Sequence, residues 1–273
     1  MIKAVQYTFA LTLLVYSGSA RATESTGDVT GPARLPLAAP AELGDPGPNI
    51  LPKAADANDQ IYANLQSFVC NEEIKRFKGA GADEGKQIDT VTVKLSFENG
   101  TEHYSNVRQN KRTRPALSSV GGAWSEGEFG TLLRQTQFLL STRTPLFERH
   151  SEVNGIAAAI YDMDVASGES PWDLKVKSQH YRVPFHTRVW VSDTEGEILK
   201  IERVSTMLPE PMGISEIRWN VQLKPVELNG RTWLLPDTGV YTVIYDNADH
   251  REWNVMRFSD YQRYGSEVAI RFQ

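Results

Sequence analysis

Residues 91–109 read VTVKLSFENGTEHYSNVRQ and predict a β-hairpin. Apolar and polar side chains alternate along the first half, a period of two that is typical of a strand with one buried face; the apolar positions are Val91, Val93, Leu95 and Phe97. Asn99-Gly100 follows, and an Asn-Gly pair readily adopts the positive φ angles of a two-residue type I′ turn. A turn of two residues places Leu95 opposite Tyr104 on the next strand.

The same dipeptide occurs twice more between strand-like runs, at Asn154-Gly155 and Asn229-Gly230, and a longer turn closes at Gly196. The pattern predicts eleven or twelve strands, at 68–77, 91–97, 101–109, 146–153, 156–165, 187–192, 198–205, 214–228, 231–235, 240–245, 253–258 and 268–272. Strands that alternate with helices, as in a parallel sheet, are absent from this pattern. The sequence therefore predicts an antiparallel meander.

The first 22 residues are typical of an export signal. Lys3 supplies a positive charge, residues 4–16 are mainly apolar, and Ala20-Arg21-Ala22 fits a small-residue cleavage site, which makes Thr23 the expected first mature residue. The apolar run is shorter than the roughly 20 residues that a membrane-spanning helix needs. We therefore expect an exported protein, periplasmic or extracellular after cleavage near Ala22, without a transmembrane span.

Residues 23–53 contain six prolines together with many glycines and alanines. Such a composition favours an extended, flexible tether. A single β-rich domain is then expected at 54–273. It begins with a short helix at 54–66, whose start is indicated by Asp56 and Asn58.

A second helix is predicted at 127–140, where apolar side chains recur at helical intervals. Ser125 followed by Glu128 fits a capping box. Glu126 and Glu128 also admit an acid/base pair, although acidic residues at a helix start are expected from the helix dipole alone. A long twisted sheet must curl, and these two helices can cover its concave face. The predicted fold is mainly β (α+β): a strongly curved antiparallel sheet or half-barrel meander covered by one or two short helices.

Composition and charge limit the possible partners. The formal charge is −5, and loss of Lys3 and Arg21 with the signal takes it to −7, which argues against a nucleic-acid partner. One basic cluster predicts a solvated loop or a local anion-binding surface; it consists of Lys111, Arg112 and Arg114.

Motifs for metal binding and catalysis are missing from the sequence. Cys70 is the single cysteine, and its apolar neighbours predict a buried thiol. The histidines lack metal-binding spacing, and neither a nucleophile elbow nor a phosphate-binding loop occurs. We therefore predict no metal, no cofactor and no catalytic residue. A catalytic site assembled from distant strands would leave no local motif and stays an alternative.

Two segments carry a resemblance. Val189-Trp190-Val191, with Gly196, Ile198 and Ile201, resembles a segment of the LolA/LolB-like fold. Residues 121–130, GGAWSEGEFG, are similar to a run in a group of uncharacterised exported bacterial proteins, which the chain resembles over 54–273. The resemblance implies an unclosed barrel whose concave interior accommodates acyl chains or another apolar ligand, in a carrier or sensor without metal or organic cofactor.

An apolar site between the second helix and the sheet is the functional prediction, because binding sites are mostly apolar. Its predicted ligand-binding residues are Phe129, Leu133, Phe138, Trp190 and Trp219. These aromatic side chains can instead simply fill the core. Three functions remain open: a non-enzymatic binding protein for a lipid or another apolar molecule, an envelope hydrolase with a convergent site, and a scaffold for another envelope protein.

Overall fold

The computed structural model describes residues 50–65, 68–80, 84–246 and 250–263. The predicted export signal, nearly all of the predicted tether and the predicted strand at 268–272 lie outside the described residues. Two α-helices are present in the described part, α1 (Ile50–Leu65) and α2 (Thr131–Thr142). Neither is long and apolar enough to span a membrane.

The strands that precede α2 are β1 (Phe68–Ala80), β2 (Glu84–Glu98), β3 (Thr101–Gln109) and β4 (Arg112–Thr113). The strands that follow it are β5 (Leu146–Val153), β6 (Ile156–Val165), β7 (Asp173–Val176), β8 (Gln179–Arg182), β9 (Phe185–Ser192), β10 (Ile198–Ser205), β11 (Ile214–Leu228), β12 (Arg231–Tyr245) and β13 (Arg251–Arg263).

Eleven of the described strands form one antiparallel sheet in the order β4-β3-β2-β1-β13-β12-β11-β10-β9-β6-β5. β4 and β5 are its two edges, so the sheet is open and does not close into a barrel. β1 pairs with β13, with Ile74 opposite Met256, which joins the first strands of the fold to its last described one. The predicted mainly β fold, an open antiparallel sheet with two helices, is confirmed.

All three Asn-Gly pairs form the predicted turns. The asparagines have φ angles of 51°, 52° and 54°, and the following glycines have φ angles of 77°, 81° and 72°. Leu95 lies opposite Tyr104, as a two-residue turn requires. The local turn chemistry therefore sets these three registers.

Several boundaries differ from the prediction. α1 begins at Ile50, and α2 begins at Thr131, four residues later than expected. The predicted strands 231–235 and 240–245 are one strand, because β12 continues past Pro236 through a register shift opposite Gln222 and Leu223. The β7–β8 hairpin is a separate two-stranded sheet that the sequence pattern did not indicate.

Candidate functional site

The inner face of the sheet, on which α1 and α2 lie, carries two parallel rows of buried side chains joined by cross-strand pairing. The first row is apolar and consists of Val91, Ile74, Met256, Gly239, Val221, Ile201, Val189 and Tyr161. The second row is mostly polar and consists of Asp89, Arg76, Asn254, Tyr241, Trp219, Arg203, Thr187 and Met163. The interior therefore combines an apolar stripe with buried charges.

Residues 121–130, which we call the closing segment, lie over one end of the polar row. Arg76 Nη1 donates a hydrogen bond to the carbonyl of Gly121, and Asn254 Nδ2 donates one to the carbonyl of Ala123 at 3.0 Å. Trp124 is buried with 2% of its surface exposed. The GGAWSEGEFG run thus packs against the inner face and covers it.

Glu102 of β3 binds the N-terminus of α2. Its carboxylate accepts hydrogen bonds from the backbone N–H groups of Gly127 (3.1 Å), Gly130 (2.9 Å) and Thr131 (3.1 Å). A carboxylate suits this place, because the first N–H groups of a helix lack partners within the helix and carry partial positive charge. The predicted capping box is wrong: Gly130 is the N-cap residue, and Ser125 Oγ donates to the Glu128 carboxylate instead.

Three further carboxyl groups lie within electrostatic range of Glu102. Burial, and then the charge of Glu102, raises the pKa of Glu128 to about 8 and that of Glu126 to about 7. Burial also raises the pKa of Glu72, with the nearby Glu128 and Glu102 adding to the effect. One carboxyl oxygen each of Glu72 and Glu128 is buried without a hydrogen-bond partner in the described structure. These groups can therefore hold protons near neutral pH.

The carboxyl groups are not arranged as a metal site. Within the described ranges, no three His, Cys, Asp or Glu side chains come together in a way that could hold an ion.

Arg203 on β10 is a buried guanidinium in the middle of the polar row. Its exposed fraction is 0%. Nη1 donates to Gln135 Oε1 at 2.7 Å and Nη2 to Thr136 Oγ1 at 3.2 Å, both on α2, and the group lies 4.7 Å from the ring centre of Phe185. Nε has no hydrogen-bond partner among the described residues. Burial lowers the pKa of Arg203 to about 9, so the side chain stays charged at neutral pH.

α1 is docked to the turn between β9 and β10. Asn58 is fully buried; its Nδ2 donates to the carbonyl of Gly196 at 3.2 Å, and its Oδ1 accepts from the N–H of Ile198 at 3.0 Å. A Cβ atom at Gly196 would lie 2.8 Å from the backbone nitrogen of Ala54. Gly196 is therefore the residue that lets the helix approach the turn.

A cleft of about 580 Å³ opens beside α1, at the ends of β10 and β12; we call it the end cleft. Its floor is apolar and is formed by Ala57, Ile61, Trp233, Leu234 and Leu235. Its rim is polar and charged and is formed by Lys53, Asp56, Gln60, Asn64, Glu195, Glu197, Arg231 and Thr232. The floor reaches the core, because Leu235 has only 1% of its surface exposed.

A second cleft, of about 660 Å³, lies on β2, β3 and the turn to β4. Lys111 of the predicted basic cluster lines it, together with Thr90, Thr92, Arg108 and Asn110. The charged side chains among these lining residues, Arg108 and Lys111, are both basic.

The structure separates the five predicted ligand-binding residues. Phe129, Leu133 and Trp219 are buried on the inner face, with exposed fractions of 1%, 3% and 2%. Phe138 is 64% exposed on the surface of α2. Trp190 is also buried, with 8% of its surface exposed, but it lies on the outer face of the sheet, since it alternates along β9 with the inward-facing Val189 and has Lys200 Nζ 4.2 Å from its ring centre.

The inward-facing residues take part in aromatic packing. Phe129 stacks on Tyr261 with ring centres 6.2 Å apart, and Trp219 lies 5.9 Å from Trp172. None of the five residues lines either cleft described above.

Sequence reasoning missed Arg203 and Glu72. Each sits on the apolar side of an alternating strand: Glu72 lies between Cys70 and Ile74, and Arg203 two residues after Ile201. Side chains two residues apart on a strand lie on the same face, so a charged residue among apolar ones at this spacing is expected to be buried. This was the signal that the sequence offered. The residues of α2 and of the closing segment that interact with Arg203 and Glu72 could not be predicted from the strand sequences.

No family model matches the chain, and no curated protein matches it. Among solved structures, the fold is similar to a LolA superfamily protein from Nitrosomonas europaea, at 10% identity over 79% of this chain and 94% of that one, with a TM-score of 0.38. It is also similar to a DUF1329 family protein from Desulfovibrio piger, at 10% identity over 83% and 95%, with a TM-score of 0.37. A third similar structure is the Mycobacterium tuberculosis lipoprotein LppX, at 8% identity over 80% and 97%, with a TM-score of 0.27.

Proposed function

We propose that the chain is an exported, non-enzymatic binding protein that holds an amphipathic ligand with a long acyl chain. The ligand enters at the end cleft and lies between the two helices and the inner face of the sheet. The end cleft is the observation that carries this proposal, because it combines an apolar floor with a charged rim.

The dimensions and chemistry of the end cleft suit such a ligand. Its volume of about 580 Å³ lies in the range of small-molecule sites. Burial of an acyl chain is favourable by about 0.8 kcal/mol per methylene, so micromolar affinity needs little polar recognition. The rim offers both signs of charge, because Lys53 and Arg231 line it together with Asp56 and Glu197.

The deeper part of the proposed site lies under the helices. Ile61 and Leu235 at the floor continue into the apolar row of the inner face, which α1 and α2 cover. Entry of a whole acyl chain requires the helices to move away from the sheet. Leu133, Phe129 and Trp219 would then line the opened space, whereas Phe138 and Trp190 would remain outside it.

Native mass spectrometry of the protein purified from its own envelope tests the proposal directly, because a bound lipid adds a defined mass. A titration with a fluorescent fatty acid should saturate in the micromolar range and be insensitive to chelators. Ile61→Glu and Leu133→Glu should weaken binding, while Phe138→Glu, on the exposed surface of α2, is the matched control. Absence of saturable binding would contradict the proposal.

Export is part of the same proposal. N-terminal sequencing of the mature protein should begin at Thr23. A product that keeps Met1 would show that the proposed compartment is wrong.

A hydrolase is the second candidate, and the pair formed by Ser125 and Glu128 favours it. The hydroxyl donates a hydrogen bond to a carboxyl group whose pKa is raised by burial to about 8, a value at which a carboxylate can accept a proton in catalysis. A fluorophosphonate probe decides between the two candidates. Labelling that Ser125→Ala abolishes would favour the enzyme, and no labelling would favour the binding protein.

The edges of the sheet do not favour the third function, that of a scaffold that binds another envelope protein. β4 has two exposed residues, and β5 presents Glu148, Arg149 and Glu152 to solvent. Short edges and charged side chains oppose the addition of a strand from another protein.

A further inference from the structure

We propose that Arg203 binds the carboxylate head group of the ligand, so that the acyl ligand is a long-chain carboxylic acid. This inference rests on the proposed binding function and names the chemical class of its ligand.

The comparison of two buried arginines in the same polar row supports it. Arg76 is paired with Asp89, which accepts from its Nε at 2.7 Å and from its Nη2 at 2.5 Å. Arg203 is as deeply buried, yet its described partners are the neutral side chains of Gln135 and Thr136. No carboxylate in the described ranges forms an ion pair with Arg203, and its Nε lacks an acceptor. Among the described residues, one arginine thus has a counterion and the other does not.

A buried charge without a counterion is costly, because the solvation that water provided is only partly replaced. The guanidinium remains charged at neutral pH, since burial lowers its pKa only to about 9. A carboxylate matches the planar fork of an arginine and can accept two hydrogen bonds from it. A bound carboxylic acid would therefore supply at Arg203 what Asp89 supplies at Arg76.

The position of Arg203 fits a ligand whose chain reaches the end cleft. Arg203 lies six residues from Glu197 along β10, a distance of about 20 Å in an extended strand. Ile201 lies between them on the inner face. A long acyl chain that runs from the end cleft along the inner face of β10 therefore crosses the apolar row at Ile201 and reaches Arg203.

α2 controls access to this arginine. Both of its described hydrogen-bond acceptors are side chains of α2. A movement of α2 that admits the chain also removes Gln135 and Thr136 from the guanidinium. The carboxylate can then accept hydrogen bonds from the guanidinium in their place.

The experiment compares three probes of equal chain length on the delipidated mature protein at pH 8.5, where the acid is ionised: palmitic acid, hexadecanol and methyl palmitate. Competition against a fluorescent fatty acid gives their affinities. We expect palmitate to bind at least ten times more tightly than the two neutral probes. Arg203→Met should bind all three alike, and Arg203→Lys, which keeps the charge, should retain a reduced preference.

Lys200→Met is the matched control, because Lys200 lies on the outer face of the same strand and should leave the preference unchanged. Equal affinities for acid and alcohol in the unaltered protein would overturn the inference while leaving the binding function intact. A preference that survives in Arg203→Met would overturn it too. Failure of all three probes to bind would instead overturn the binding function itself. Should Arg203→Met not fold, the preference of the unaltered protein and of Arg203→Lys still decides.

Discussion

Asn58 Oδ1 accepts a hydrogen bond from the backbone N–H of Ile198 at 3.0 Å, which ties the middle of α1 to the first residue of β10. The same amide donates from Nδ2 to the carbonyls of Ala54 and Gly196. A fully buried side-chain amide is thereby satisfied at both ends, as buried polar groups require. At the turn between β9 and β10, the helix that borders the end cleft is thus held by the Asn58 side chain and by the close approach at Gly196.

Gly196→Ala should loosen this attachment. The added Cβ would lie 2.8 Å from the nitrogen of Ala54, and φ at Gly196 is +73°. Gly230→Ala is the control, because its φ is +72° but nothing lies within 4 Å of the new Cβ. We expect about 1 kcal/mol of destabilisation for the control from backbone strain and clearly more for Gly196→Ala. Urea unfolding measures both, and equal losses would show that α1 can yield without cost.

The type I′ turns predict a position-specific cost for bulky residues. Gly100→Val, Gly155→Val and Gly230→Val place a β-branched side chain at φ angles of 77°, 81° and 72°. Each should lower the free energy of unfolding by about 1–3 kcal/mol. Gly168→Val is the control, since this glycine does not have a positive φ and nothing lies within 4 Å of its added Cβ. Unchanged melting temperatures in all three turn variants would contradict the observed turn geometry.

The ion pair between Arg76 and Asp89 should be sensitive to the loss of one partner. Burial disfavours the charged carboxylate, but hydrogen bonds from Arg76 and Gln109 outweigh this and lower the pKa of Asp89. Asp89→Leu leaves Arg76 buried without its counterion and should cost about 3–5 kcal/mol. The double variant Arg76→Met, Asp89→Leu should be markedly more stable than Asp89→Leu alone. A double-mutant cycle by urea unfolding measures this, and additive losses would contradict it.

Glu128→Gln should reduce the pH dependence of stability. The pKa of Glu128 is raised from 4.5 to about 8 in the folded protein, so the folded state binds a proton that the unfolded state has lost between these values. Its contribution to stability is therefore complete below about pH 4.5 and is lost as pH rises through about 8. Glutamine imitates the protonated form and removes this loss.

Melting temperatures at pH 5 and pH 8.5 provide the measurement. We expect the decrease between the two pH values to be smaller in Glu128→Gln than in the unaltered protein. Glu152→Gln, on the exposed edge strand β5, is the control and should behave like the unaltered protein. An identical decrease in melting temperature in all three proteins would show that Glu128 does not contribute to the pH dependence of stability.

The local features of the fold were predictable from short stretches of sequence. The hairpins at Asn99-Gly100 and Asn154-Gly155 follow from turn chemistry and from the alternation of the flanking strands. β3, β5, β6, β10 and β11 have the predicted bounds. The joining of 231–235 to 240–245 was not predictable, because the register shift near Pro236 depends on the facing β11.

The candidate site was less predictable for the same physical reason. Phe138 and Trp190 are large apolar residues of the kind found in binding sites. The face on which each lies depends on tertiary packing, however, and both point away from the inner face. Glu102, which caps the N-terminus of α2, lies 29 residues before Thr131 in the sequence. The closing segment lies between the two residues in the chain. A pattern of a few residues carries no information about such a partner.

By itself, the sequence determined most strands of the large sheet, where the two-residue turns form and which side of those strands is apolar, because these depend on steric preferences and on alternation over a few residues. Only the tertiary structure decided that β1 pairs with β13, that α1 docks at Gly196 and that Arg203 is buried under α2 without a carboxylate partner among the described residues. These contacts join residues far apart in the chain, so their free energies arise only when the whole sheet and its cover have assembled.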